Sequence, residues 1–170
     1  MDLRAAIRTI EDFPEPGIRF RDITPLLAHA DALKEAVNHM VQHYRDAHVE
    51  AVVGIESRGF MFGSPLAIQL GAGFVPVRKP GKLPAETEAR SYALEYGEAT
   101  LEIHRDALRP GERVVICDDV LATGGTMEAT VDLVRALGAD IVGCAVLIEL
   151  TELQGREKLE GVRVESLIRY

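Results

Sequence analysis

Between residues 49 and 148 the chain alternates short, continuously apolar runs with longer stretches of helical period. "VEAVVGI" (49–55), "AGFVPVR" (72–78), "RVVIC" (113–117) and "IVGCAVLI" (141–148) are rich in β-branched residues and carry few polar positions. Strands covered on both faces read this way, because neither side of the pleat meets water. They predict a parallel sheet. Between them, "GFMFGSPLAIQLG" (59–71) and "GTMEATVDLVRALG" (125–138) have helical length, and the second sets Met127, Val131, Val134 and Leu137 on one face before stopping at Gly138. From Asp31 to His48 the spacing predicts a further helix, with Leu33, Val37, Met40, Val41 and Tyr44 as its apolar stripe. Such a series builds an open α/β fold: a mainly parallel twisted sheet with helices on both faces.

Two stretches break the series. From Lys79 to Asp106 a Pro/Gly/Lys-rich opening gives way to alternation through Tyr92, Leu94, Tyr96, Leu101 and Ile103 around Gly97-Glu98. This predicts a flexible loop followed by an antiparallel hairpin projecting from the sheet. The N-terminal "DFPEPGIRFRDITPLL" (12–27) holds three prolines and, with Phe20, Ile23 and Leu26 needing burial, predicts a small hood over residues 1–30. No repeat, low-complexity tract or second-domain boundary is visible, so residues 1–170 are expected to form a single domain.

Composition narrows the class. With 170 residues, 47% of them hydrophobic and 27% charged, the chain has what a folded globular domain with a substantial core needs. A net charge of -8 argues against a nucleic-acid partner, which requires a clustered basic surface, and leaves open a small anionic ligand held by local dipoles. No run has the length and apolarity of a signal segment or a membrane span, which sets a cytoplasmic, non-membrane expectation. Cys117 and Cys144 sit inside apolar runs without CxxC spacing and read as buried reduced thiols. His39 and His43 stand four apart, off the apolar stripe and without a carboxylate motif between them, and read as solvated side chains, not metal ligands.

Chemistry concentrates in "RVVICDDVLATGGTMEATVDLV" (113–134). Asp118 and Asp119 are expected immediately after a strand, at its carboxyl end, where open α/β sheets collect ligands. Ala122, Thr123, Gly124, Gly125 and Thr126 then lead into a helix. Glycines let backbone N–H groups converge, the hydroxyls add donors and the helix N-terminus adds positive potential, so a phosphate monoester fits there. The carboxylates would repel that phosphate. They can accept hydrogen bonds from vicinal hydroxyls one sugar's length away, or help place a hydrated Mg²⁺. A ribose 5-phosphate satisfies both halves. The competing reading is an ordinary helix start capped by Thr123, with two loop aspartates beside it. Kinase and dinucleotide readings fail, since neither GxxxxGK[ST] nor GxGxxG occurs in the required place.

"VVICDDVLATGGT" resembles the phosphoribosyl-pyrophosphate (PRPP) signature of type I phosphoribosyltransferases. "FPEPGIRFRDITPLL", "GIESRGFMFGSPLA", "VPVRKPGKLP", "YALEYGEATLEIHRDAL" and "LGADIVGCAVLIEL" resemble the adenine-specific branch of that family, in the same order and across nearly the whole chain. The resemblance implies the type I phosphoribosyltransferase fold and transfer of ribosyl phosphate from PRPP to N9 of adenine. The products would be AMP and pyrophosphate, the transition state oxocarbenium-like, and Mg²⁺ held through PRPP and water. It implies Asp118 and Asp119 at the ribose hydroxyls and residues 122–126 at the 5-phosphate. Ser57, Arg58, Arg78, Lys79 and Lys82 would serve the pyrophosphate, beneath a loop that closes over it. A non-proline cis peptide would fall between Glu56 and Ser57. Glu95 matches the carboxylate proposed as acid/base partner of the purine. Phe20 matches the aromatic stacked on adenine, with the backbone of Arg19 and Arg21 reading the base edge and Leu150 closing the other side. A homodimer is implied in the same way. Two alternatives stay open: a phosphoribosyltransferase for hypoxanthine, guanine or xanthine, and a non-catalytic PRPP-sensing regulator. The latter typically adds a DNA-binding domain and a basic surface, and this chain shows neither.

Overall fold

The computed structural model describes residues 1–170. The chain divides into two compact units, Met1–His39 and Met40–Tyr170.

In the first unit, β1 (Arg8–Ile10) and β2 (Phe20–Asp22) pair antiparallel, and α1 (Thr24–Ala28) and the opening of α2 (Ala30–Tyr44) follow. Asp22 ties these pieces together. Its carboxylate accepts from the Thr24 amide at 2.9 Å and from Arg8 Nη2 at 2.6 Å, and these bonds, the amide first, hold its pKa down at about 2. Ile23 and Leu26 are buried, while Phe20 is half-buried with its ring 5.2 Å from that of Phe13, edge to face. Strands of three residues are too short to display alternation, which is why only the hood, and not its β1–β2 pair, is legible in the sequence.

The second unit holds β3 (Ala51–Ile55), α3 (Arg58–Leu70), β4 (Gly73–Val77), β5 (Thr87–Ala93), β6 (Glu98–His104), β7 (Arg113–Leu121), α4 (Gly125–Ala136), β8 (Asp140–Glu149) and β9 (Val164–Arg169). Five of these form a parallel sheet in the order β4-β3-β7-β8-β9. Met127, Val131 and Val134 of α4 share a buried cluster with Val53, Ile55, Val114 and Ile116, and Leu137 packs at its margin. Gly54 and Cys117 alternate with those strand residues and so face the other way. There α3 lies close: a Cβ on Gly63 would stand 2.9 Å from the Phe74 ring and 3.6 Å from Cys117 Cβ. Helices therefore cover both faces of the sheet, as the continuous apolar strands require.

Four expectations need correction. β7 does not end at Cys117: its ladder with β8 continues through Asp118↔Val146, Val120↔Ile148 and Leu121↔Glu149, so both aspartates belong to the strand. α2 stops at Tyr44, not His48, and its buried face is Ala32, Ala36, Val37, Met40, Val41 and Tyr44, with Leu33 only half-buried. The β5–β6 hairpin does not project. Leu101 and Ile103 lie in the same buried cluster as the α4 side chains, and pairing stops at Ala93↔Glu98. Leu94, Glu95, Tyr96 and Gly97 are thus the connecting turn, not continuations of the alternating strand, and Tyr96 is 87% exposed. β9, at the sheet edge, lacks a continuous apolar run and gives no sequence signal of the kind shown by β3, β7 and β8.

Candidate active site

From β3 the chain crosses through α3 to β4 on one side, and from β7 through α4 to β8 on the other. The winding reverses between the neighbours β3 and β7, and such a reversal opens a crevice beyond the carboxyl ends of the strands. Glu56, Ser57 and Arg58 follow β3, Arg78 and Lys79 follow β4, residues 122–126 follow β7, and Leu150 follows β8. The sheet order thus gathers segments far apart in sequence at one edge.

Gly59 sets the closest approach there. A Cβ at this position would lie 2.8 Å from the Cys117 carbonyl oxygen and 3.0 Å from Asp118 Oδ1, so only glycine lets the first turn of α3 come up against β7. Arg58, one residue earlier, reaches Asp119: Nε to Oδ2 is 2.7 Å. The Glu56–Ser57 peptide is cis, at the position the resemblance implies.

The adjacent aspartates make a strongly acidic point in partly dry surroundings. Asp119 is 4% exposed and Asp118 half-buried, with Asp118 Oδ1 accepting the Asp119 amide at 2.8 Å. Burial first, and then the neighbouring Asp119 charge, push the Asp118 pKa well above the usual carboxylate range. Arg58 answers part of this charge; a ligand cation or a set of hydroxyl donors would answer the rest. Burial pushes the Cys144 thiol up to about 12 and also raises the Cys117 thiol well above the usual range, and both cysteines are unpaired and buried as expected.

The turn into α4 is not closed by an ordinary side-chain cap. Gly124 takes the N-cap position at φ +88° with no side-chain hydrogen bond closing the helix, and Thr123 is exposed. The Thr123-cap reading is thereby overturned, and the first amides of α4 keep the donors that an N-terminus otherwise gives to a cap. Two residues that the sequence reading passed over shape this turn. Gly155 lies against it so closely that a Cβ on Gly124 would overlap the Gly155 carbonyl, and a Cβ on Gly155 would overlap the Ala122 carbonyl. Tyr92 covers Gly125, where an added Cβ would be 3.0 Å from its ring, and Thr126 Oγ1 donates to the Tyr92 hydroxyl at 3.0 Å. The only sequence signal for either was a glycine outside the motif and an aromatic facing inward from the hairpin.

Around the remaining candidates, Glu56 acts as an organiser. It accepts the Lys79 amide at 2.9 Å and Arg78 Nη2 at 3.0 Å; the amide first, and then Arg78 against the opposing effect of burial, leave its pKa below the usual range. Arg78 Nε is buried and makes no hydrogen bond within the protein. Ser57, Lys79 and Lys82 are exposed, and the loop carrying Lys82 is tied to β6 by Gly81 N–H to Glu102 Oε2 (3.4 Å) and Ala85 N–H to His104 Nε2 (3.2 Å). Glu95 is exposed in the 94–97 turn. Leu150 is half-buried, its amide bonded to the Leu121 carbonyl at 2.9 Å. In the first unit, Arg19 pairs with Glu11 at 3.2 Å and Arg21 Nη1 donates to Thr9 Oγ1 at 2.6 Å, on either side of Phe20.

Residues 24–168 match the phosphoribosyl transferase domain family. An adenine phosphoribosyltransferase from Carboxydothermus hydrogenoformans is 58% identical over 170 residues, covering 100% of both chains. The crystal structure of adenine phosphoribosyltransferase from Thermoanaerobacter pseudethanolicus superposes with a TM-score of 0.96 at 50% identity, covering 99% of this chain and 98% of that one. The chain belongs to the adenine phosphoribosyltransferase family. The yeast family member from Saccharomyces cerevisiae, solved with adenine and an imino-altritol bisphosphate, superposes with a TM-score of 0.93 at 38% identity, covering 98% of this chain and 96% of that one. The five-stranded parallel sheet with helices on both faces is accordingly the type I phosphoribosyltransferase fold. No helix of this family member is long and apolar enough to cross a membrane.

Proposed function

We propose that the chain transfers the 5-phosphoribosyl group of PRPP to N9 of adenine, forming AMP and releasing pyrophosphate. The observation that carries this reading is the meeting, at one reversal of the sheet, of a carboxylate pair, Asp119 buried and Asp118 half-buried, with a helix N-terminus that no side chain caps. Carboxylates suit ribose hydroxyls and the amides of residues 122–126 suit the 5-phosphate; a sugar phosphate is the ligand that needs both.

In the reaction the bond from C1 of the ribose to the pyrophosphate oxygen breaks and a bond from C1 to N9 forms. Positive charge develops on the sugar between these events, and Asp118 and Asp119 face it with fixed negative charge in a site shielded from water. Their mutual repulsion is relieved as that cation forms, so the pair favours the transition state over the ground state. Arg58, Arg78, Lys79, Lys82 and the Ser57 hydroxyl neutralise and bind the departing pyrophosphate. Glu95 exchanges the purine proton when the turn and loop close, and closure excludes water that would otherwise hydrolyse PRPP. Adenine recognition is assigned by the family resemblance to Phe20 with the backbone of Arg19 and Arg21, and to Leu150; the relative solved with adenine supports the choice of base.

Mg²⁺ fits this site as a shared ion. The chain offers no trio of acidic, histidine or cysteine side chains for a protein cage. Two adjacent carboxylates beside a diphosphate suit a hydrated ion that keeps most of its ligands from PRPP and water, where it would neutralise phosphate charge. A cytosolic homodimer completes the proposal.

The test is product identity from PRPP, Mg²⁺ and an equimolar mixture of adenine, hypoxanthine and guanine. AMP as the only nucleotide is expected. IMP or GMP would overturn the base assignment while keeping the chemistry, and PRPP binding without any nucleotide would favour a regulator.

A further inference from the structure

The second unit contains an ion cluster around one buried carboxylate that the proposed chemistry does not use. Glu149, the last residue of β8, is 5% exposed. Arg156 grips it with both arms of its guanidinium, Nε to Oε1 at 2.8 Å and Nη2 to Oε2 at 2.6 Å, while the Ser166 hydroxyl donates at 2.6 Å and Arg169 Nε stands at 3.3 Å. Arg156 Nη1 also donates to the Val164 carbonyl at 2.9 Å, so one side chain joins β8, β9 and the connection between them.

That connection has little stability of its own. It consists of two short 3₁₀ turns, Thr151–Leu153 and Gly155–Leu159, joined at Gln154 with φ +53°. Such turns have poor internal hydrogen bonding and hold their place through outside contacts. A two-point guanidinium–carboxylate grip supplies a fixed direction that a single point charge does not. The residue next to Arg156 is Gly155, whose backbone touches Ala122 and Gly124 with no room for a methyl group at either glycine. At the other end, the Leu150 amide bonds the Leu121 carbonyl, immediately before the same turn.

We infer that Glu149 and Arg156 are positioning residues for the 5-phosphate subsite: their grip holds the Gly155 backbone as the back wall of the 122–126 turn and so keeps its amides convergent. The inference rests on the PRPP reading given above. Neither residue touches the ligand; both act through Gly155.

The test measures the dissociation constant of ribose 5-phosphate by calorimetry, with steady-state kinetics for PRPP and thermal melts alongside. Arg156→Gln is expected to weaken ribose 5-phosphate about tenfold and to raise KM for PRPP in step, with kcat kept within about threefold. Arg156→Lys, which keeps the charge and loses the fork, is expected to fall between. Glu149→Gln, which keeps the shape and loses the charge, serves if Arg156→Gln does not fold and is expected to weaken binding in the same direction. Val114→Ala, at the amino end of β7, is the control: it lowers Tm and leaves ribose 5-phosphate binding unchanged. Equal binding by wild type and the Arg156 and Glu149 variants, or an equal loss in Val114→Ala, would overturn the inference alone. A wild-type protein that binds no ribose 5-phosphate would overturn the PRPP reading and the inference with it.

Discussion

Arg58 Nε lies 2.7 Å from Asp119 Oδ2, so the side chain assigned to the leaving pyrophosphate is also the counter-ion of a carboxylate assigned to the ribose. Binding of PRPP sets the two roles in competition. Arg58→Ala removes both, and kcat/KM for PRPP is expected to fall by about 10²-fold or more, with a smaller loss for Arg58→Lys, which keeps charge without the planar fork. Initial rates at varied PRPP check this; an unchanged kcat/KM would remove Arg58 from the site.

Asp118→Asn is expected to separate stability from activity. Burial and Asp119 raise the Asp118 pKa on folding, so the native chain holds this proton more tightly than the unfolded one, and stability falls as pH rises from about 4 through the raised native value. Asparagine removes that loss. Its Tm at pH 7 is expected to exceed that of wild type, with the gap closing below about pH 4 and AMP formation severely reduced. Thermal melts across pH read the effect directly.

Glu149 has the opposite sign. The Arg156 hydrogen bonds above all, and then Ser166, hold its pKa at about 2, so its contribution is complete above the unfolded value near 4.3 and is lost as pH falls through about 2. That contribution is at most about 3 kcal/mol. Glu149→Gln is expected to be less stable at pH 7 and to show a flatter decline between about pH 5 and 2. Denaturant titrations at several pH values check it; parallel wild-type and variant profiles would contradict it.

Tyr92→Phe frees the Thr126 hydroxyl, which otherwise donates to the Tyr92 hydroxyl. If Thr126 serves the 5-phosphate, the variant is expected to bind ribose 5-phosphate about 2–5-fold more tightly, the scale of one modest hydrogen bond no longer broken on binding. Weaker binding would show that the Tyr92 hydroxyl itself assists the phosphate.

The fold was legible wherever burial on both sides left continuous apolar strands, as in β3, β7 and β8. It was not legible in β1, β2 and β9, which are short or lie at an edge. Within the site, Asp118, Asp119 and residues 122–126 announced themselves because anion-binding turns need glycine and hydroxyl donors in a fixed order. Gly155, Tyr92 and the Glu149–Arg156 grip did not, since their roles come from contacts between segments distant in sequence. Glu95 illustrates the middle case: the residue is visible, but its place in a turn depends on β5 and β6 ceasing to pair at Ala93↔Glu98, which the alternation of apolar residues through Tyr96 does not reveal.

The central claim is that the carboxylate pair of β7 holds and stabilises the ribose of PRPP while the turn after it holds the phosphate. Its most direct test is AMP formation from adenine, PRPP and Mg²⁺ by wild type and by the Asp118→Asn/Asp119→Asn double variant, each shown to be folded by its melting transition. AMP is expected from the wild type, with a loss of about 10³-fold or more in the variant. A folded double variant that makes AMP near the wild-type rate would contradict it.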